Sequence, residues 1–281
     1  MKYNTFSFGG ELWVAYPAGL RFPAAFAQCY PFRGRGIVSK VLYSLNRLHI
    51  DKVLLRETEM VPFVKDIAGA EGVAFFWPSR KRSSGRFYGY RVKGNRLYEY
   101  WKIGTSDLER IALRREAENV EVACRISGGT FEVPRLLGVK DENGMTVARY
   151  QPLPEDAKSL PLTAKWMDRV MKARDAIYSA GYQHGDFGWH NLKISGDSLW
   201  ILDWEEMSDK LPPLTDEISF ESMLDYYNLG KPLNEVWKKI EQKCVCNIYN
   251  KVDVENALKS MCDRRIAMGA ELFRFVQRED V

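Results

Sequence analysis

The sequence predicts an α+β protein of two lobes. A small antiparallel-sheet lobe with one helix spans residues 71–150, a larger helical lobe spans 151–281, and a helical extension over 1–70 precedes them. Three observations carry this reading. Short aromatic-rich runs broken by turn residues fill 72–150, the pattern of paired strands. The segment QPLPEDAKSLPLT (151–163) places Pro152, Pro154 and Pro161 where neither a helix interior nor a central strand can continue. Beyond it, apolar residues recur at helical spacing to the end of the chain.

In order along the chain, Ile37, Val38, Val41, Leu42, Leu45 and Leu48 recur at helical spacing after the turn-rich FRGRG, with Arg35, Lys40 and Arg47 beside them. This predicts a helix docked on the main body. A basic amphipathic face of this kind also suits peripheral contact with a membrane. The strand candidates are GVAFFW (72–77), RFYGYRV (86–92) and RLYEYWKI (96–103), separated by SSG and KGN turns. A helix follows over 107–123 with Leu108, Ile111, Ala112, Val120 and Val122 as apolar positions, then strands PRLLGVK (134–140) and MTVARY (145–150) around DENG. After the prolines, Thr163 is placed to cap a helix with Trp166, Met167, Val170, Met171, Ile177 and Tyr178 on one face, stopped by Gly181. QHGDFGWHNLKI (183–194) and SLWILDWEE (198–206) follow, and 215–278 reads as three helices.

Composition excludes several classes. The 281 residues are 46% hydrophobic, 28% charged and 13% aromatic, enough apolar surface to fold. No apolar run approaches the roughly 20 residues of a membrane span. The start, MKYNTFSFGGELWV, lacks the layout of a secretory signal. Five scattered cysteines (Cys29, Cys124, Cys244, Cys246, Cys262) suit a reducing compartment, so a cytoplasmic location is expected. Cys244 and Cys246, with no His cluster nearby, read as ordinary helix residues. The net charge of +4 is segregated: residues 80–115 carry eleven basic and three acidic side chains. Such a stretch attracts polyanions. RKRSSGR (80–86) also has the form of a nuclear-type cluster, but its place between two strands suits a phosphate-facing turn, and no nucleic-acid partner is expected.

The sharpest motif is His184-Gly185-Asp186, with Asn191 five residues after the aspartate and Asp203 after the apolar run LWIL. It resembles the kinase pattern H-R-D-L-x-x-x-N followed by D-F-G, with Gly for Arg and Asp-Trp for Asp-Phe-Gly. Those departures are the usual form in the aminoglycoside phosphotransferase and choline-kinase-like superfamily, which the chain resembles over roughly residues 72–230. HGDF…N…DWE is also similar to bacterial kinases associated with surface-polysaccharide synthesis. The resemblance implies a protein-kinase-like fold, with ATP and Mg²⁺ as cofactors.

Phosphoryl transfer asks mainly for positioning, a divalent metal on the phosphates and a carboxylate that receives the attacking hydroxyl's proton. Asp186 is the candidate carboxylate. Asn191 and Asp203 offer the oxygen ligands a hard cation takes, and His184 shapes the loop by hydrogen bonding. Kinases also need a strand lysine on the phosphates, paired with a helix glutamate. Lys102 and Glu116 fill those roles, with Glu118 as the rival glutamate. Alternation sets Lys102 on the face of Tyr98 and Tyr100, opposite Leu97, Glu99, Trp101 and Ile103; its inward direction is what the resemblance implies. Ser83, Ser84 and Gly85 are candidates to cover the phosphates, or form a plain hairpin turn. Backbone groups of Arg149, Tyr150 and Gln151 are candidates for adenine.

The acceptor is expected to be a hydroxyl of a small molecule or glycan, with a sugar favoured by the motif and the aromatic content. The alternative is a cationic acceptor, an aminoglycoside or amino alcohol, received by the seven acids and one base of residues 205–225. A further alternative is a metal-dependent hydrolase using His184, Asp186 and His190. A catalytically dead binding module is disfavoured because Lys102, Glu116, Asp186, Asn191 and Asp203 are all present.

Overall fold

The computed structural model of the chain describes residues 2–8, 11–22, 37–48, 56–58, 67–76, 85–93, 96–264 and 266–279. The molecule is a mixed α+β protein in two compact units. Residues 1–121 and 134–158 make the first, and 122–133 with 159–281 make the second.

The first unit is built on one sheet. Its strands are β1 (Tyr3–Phe8), β2 (Glu11–Pro17), β3 (Arg56–Thr58), β4 (Val73–Phe76), β5 (Arg86–Lys93), β6 (Arg96–Gly104), β7 (Leu136–Glu142) and β8 (Met145–Tyr150). They lie in the order β3-β1-β2-β4-β5-β6-β8-β7, every neighbouring pair antiparallel. The expected helical extension over 1–70 is corrected here. Besides a helix, α1 (Ile37–Arg47), this segment contributes three strands to the sheet. The signal was present in FSFGGELWV, where aromatic and apolar runs flank a Gly-Gly pair.

Alternation along the strands buries both faces of the sheet. Ala15, Val73, Phe75, Phe87, Trp101, Ile103 and Val147 pack on one face. Val14, Tyr16, Ala74, Phe76 and Tyr90 pack on the other with Phe22 and Leu42, the latter from α1. Asn46 fixes α1 to the preceding loop: the Phe22 N–H donates to its Oδ1 at 2.7 Å, and its Nδ2 donates to the Leu20 carbonyl at 2.9 Å. Helix α2 (Asp107–Ile126) carries Asp107 and Glu109 in its first turn and Arg125 in its last, matching the helix dipole. Its buried stripe is Leu113, Glu116, Ala117, Val120 and Ala123. Leu108 and Ile111, expected on the apolar face, are instead 80% and 60% exposed.

The second unit begins with the end of α2. After the two-residue strand β9 (Lys158–Ser159) come α3 (Ala164–Ser179), the hairpin β10 (Leu192–Ser195) and β11 (Ser198–Ile201), α4 (Thr215–Met223), α5 (Leu233–Val245), α6 (Lys251–Asp263) and α7 (Ala267–Glu279). Strands β9 to β11 form a small sheet in the order β11-β10-β9. Helix α3 has Thr163 at its N-cap position, without a side-chain capping bond, and buries Trp166, Val170, Ala173 and Ile177. Tyr178 is exposed. Gly181 adopts φ +85°, the left-handed stop that glycine allows. Four helices replace the expected three because Pro232, the N-cap of α5, separates it from the π-helical turn Leu224–Asn228 that extends α4. Ile218, Val236, Ile240, Val254, Leu258, Met261 and Leu272 form the core between them. Among the described residues no helix is long and apolar enough to cross a membrane.

Candidate active site

In the first unit, β6 and α2 bring Lys102 and Glu116 together. Trp101 and Ile103 point into one core, so Lys102 projects to the opposite face, between its cross-strand neighbours Tyr88 and Ala148. Its Nζ lies 2.6 Å from Glu116 Oε1, with the side chains only 8% and 3% exposed. A buried pair of this kind persists only with close geometry, because both charges lose their water. Glu116 Oε2 is buried and has no hydrogen-bond partner among the described residues. Glu118, the rival, is exposed.

The other nucleotide candidates fare unequally. Ser83 and Ser84 lie outside the described residues. Gly85 has φ +92°, and its carbonyl accepts from the Thr105 N–H and hydroxyl, both at 2.8 Å. A Cβ there would meet the Ser106 nitrogen at 2.9 Å, so glycine is required by close packing. Arg149 and Tyr150 sit in β8, between β6 and β7. The Gln151 N–H donates to the Arg135 carbonyl at 2.8 Å. That N–H is thus already engaged.

Part of the basic character of residues 80–115 is paired. Among the described residues, Arg86 pairs with Glu109, Arg91 with Glu99, Arg96 with Glu155, Arg110 with Asp107 and Arg114 with Asp141.

In the second unit the motif folds as a loop between α3 and β10. Gln183 opens it: its main chain exchanges two 3.0 Å bonds with Ser208, and its Oε1 accepts from the Asp216 N–H. His184 is fully buried, and desolvation holds its imidazole below the usual pKa. Both ring nitrogens are engaged. Nε2 lies 3.0 Å from the Leu202 carbonyl, and Nδ1 accepts the Asp186 N–H at 3.3 Å. A neutral ring with its proton on Nε2 satisfies both bonds. His184 therefore fixes the loop and has no lone pair to give a metal, which removes one of the three ligands of the hydrolase alternative.

Asp186 Oδ2 lies 3.2 Å from both His190 Nε2 and Asn191 Nδ2. Asn191 Nδ2 also donates to the Asp186 carbonyl at 3.0 Å. Asp186 Oδ1 is buried and has no hydrogen-bond partner among the described residues. A carboxylate held through one oxygen and unpaired at the other keeps a lone pair that can receive a proton. Asn191, in a 3₁₀ turn (Trp189–Asn191), accepts the Leu202 N–H on its main-chain carbonyl at 3.0 Å. Asp203 follows immediately, with φ 65° and ψ 66°. Left-handed backbone at a non-glycine residue stores strain that tends to mark functional positions.

Sequence reasoning missed what holds this loop. Asp216, fully buried on α4, accepts the His184 N–H at 2.6 Å and the Gly185 N–H at 2.7 Å. Burial pushes its pKa up to about 7, against the lowering effect of those two N–H groups. Other acids of the stretch 205–225 also have partners within the unit. Glu206 pairs with Arg264, Glu217 lies 3.8 Å from Arg174, Glu221 pairs with Lys243, and Asp225 holds both Lys231 and Lys239. Five of its seven acids, counting Asp216, serve the interior of the unit. No signal in the sequence distinguishes these internal partners from free surface acids.

No family model matches the chain, and no curated protein matches it. Solved structures do. A structure of monomeric WbdD shares 12% identity with a TM-score of 0.40, covering 56% of this chain and 40% of that one. A structure described as the bifunctional kinase-methyltransferase WbdD shares 14% with a TM-score of 0.39, covering 55% and 38%. A co-crystal of WbdD with a kinase inhibitor shares 13% with a TM-score of 0.40, covering 52% and 36%. The matched region thus spans at most two fifths of these chains and little more than half of this one.

Proposed function

We propose that the chain is an ATP-dependent phosphotransferase that moves the γ-phosphate to a hydroxyl of a small molecule or glycan. The observation that carries this reading is the aspartate of the His-Gly-Asp loop, with one buried oxygen unpartnered and the other aimed by Asn191 and His190. The buried Lys102–Glu116 pair supports it, since that pairing holds a lysine amine steady for phosphate oxygens.

The residues fit a magnesium nucleotide by donor chemistry. Asn191 and Asp203 offer the oxygens that would hold the ion; the Asn191 Nδ2 bonds to Asp186 turn its amide oxygen the other way. When bound there, Mg²⁺ would supply charge neutralisation for the phosphates. The chain's own residues do the rest. Lys102, steadied by Glu116, orients the triphosphate. Asp186 Oδ1 orients the acceptor hydroxyl and takes its proton, and neutral His184 keeps the loop in register without exchanging a proton itself.

A sugar hydroxyl is favoured over a cationic acceptor because the acids of 205–225 are mostly spent on internal partners. A thermal-shift series with ATP and Mg²⁺, each alone and together, tests nucleotide use. Stabilisation is expected from the pair, and stabilisation by zinc alone would favour the hydrolase. An ADP-release panel of sugars, aminoglycosides and amino alcohols then tests the acceptor, with turnover expected on sugars. Turnover confined to the cationic compounds would overturn the glycan assignment.

A further inference from the structure

Residue 185 of the His-Gly-Asp loop stands where the kinase pattern H-R-D carries an arginine. A glycine there removes a guanidinium from the loop, and another guanidinium lies against it. Arg264, at the C-terminal cap of α6, donates from Nη2 to the Gly185 carbonyl at 3.3 Å. Its Nη1 lies 3.3 Å from Glu206 Oε2, just after the Asp203-Trp204 step. A Cβ at Gly185 would stand 2.7 Å from that same Nη1 and 2.5 Å from the Glu206 carbonyl oxygen. Gly185 also has φ +84°. The glycine is therefore required twice, by its positive φ and by the Glu206 carbonyl that stands against it.

The Gly185 residue is held at both ends. Its N–H is taken by Asp216 from α4, and its C=O by Arg264 from α6. The next residue is Asp186. We infer that Arg264 is a positioning residue for Asp186, supplying from 79 residues downstream the guanidinium that the kinase pattern carries inside the loop. Its planar fork reaches the loop carbonyl and the Glu206 carboxylate from two separate nitrogens held in a fixed geometry, which a lysine's single nitrogen does not match. The inference rests on the phosphotransferase reading above, and it names the part of the chain beyond the motif that this reaction depends on.

The test uses the full chain with Mg·ATP as probe, reading ADP release and nucleotide affinity separately. Arg264→Ala is expected to lower kcat by about 10²-fold, the scale of a loop displaced by about an ångström, with affinity for Mg·ATP little changed. Added guanidinium ion should restore part of that loss, added ethylammonium should not, and Arg264→Lys should stay near the alanine variant. Should Arg264→Ala fail to fold, Glu206→Gln, which releases the arginine from its second anchor, is expected to lower kcat by about tenfold on the same physical ground. Wild-type kcat in either folded variant, full recovery by lysine, or a loss that guanidinium leaves untouched would overturn the inference. A wild-type chain that neither binds nor turns over Mg·ATP would overturn the phosphotransferase reading instead. Amide exchange at His184 and Gly185, measured without nucleotide, separates the two failures: it is expected to quicken in Arg264→Ala, and unchanged exchange would refute the clamp itself.

Discussion

Lys102 and Glu116 meet across fourteen residues, one strand and one helix apart, and are held by burial and by each other. Asp186 is held differently. Its loop is fixed through main-chain groups by Asp216, 30 residues on in the sequence, and by Arg264, far beyond. The first arrangement places a charge by secondary structure, the second by long-range hydrogen bonds to backbone. A lysine that grips a flexible polyphosphate needs direction and a partner. A carboxylate that must receive one proton needs its whole backbone fixed, and irregular loops have no ladder of their own to supply this.

Mutations should separate the two designs. The largest effect is expected from Asp186→Asn, which keeps the shape and removes the proton acceptor. Turnover should fall by about 10²–10⁴-fold, the usual contribution of a general base, with Mg·ATP affinity retained in a calorimetric titration. Next comes Glu116→Gln. It leaves the buried Lys102 ammonium without its counter-charge, a change that costs about 3–5 kcal/mol where a buried pair is broken. Urea unfolding should show that loss in the sheet unit, and equal stability to wild type would mean the pair is solvated.

Asp216→Asn sharpens the comparison from the loop side. An amide can accept only one of the two N–H groups and presents its own donors to the other, a loss of about 1–3 kcal/mol for the orphaned donor. The pH dependence has a definite sign. The folded pKa of about 7 lies above the ordinary 3.8, so the folded state binds this proton more tightly than the unfolded state. The stability tied to that proton is fully present below about pH 3.8 and is lost as pH rises through about 7. The stability advantage of wild type over Asp216→Asn should therefore narrow from pH 4 to pH 7 in urea melts. A widening gap would show that the two N–H groups outweigh burial. The smallest effect is expected at Asn46→Ala, which orphans the Phe22 N–H and costs about 1–3 kcal/mol while leaving ADP release unchanged.

The sequence made the short-range features readable. Strands β5, β6 and β8, helix α2, the Lys102–Glu116 spacing and the His-Gly-Asp loop all announce themselves within a few residues of local pattern. What stayed hidden was long-range. The edge strand β3 pairs with β1 far away in the sequence, Tyr3 against Thr58, a separation that periodicity does not encode. Asp216 and Arg264 look like any surface acid and base until the fold buries one and folds the other against Gly185. The partners of the acids in 205–225 stayed hidden for the same reason, because charge counts do not reveal them.

Phosphorus NMR of Mg·ATP incubated with the chain and a panel of sugars follows the γ-phosphate directly. The account expects a new phosphate-monoester resonance with wild type, growing as the γ signal declines, and none with Asp186→Asn. Inorganic phosphate as the sole product, or a monoester formed equally well by Asp186→Asn, would contradict it.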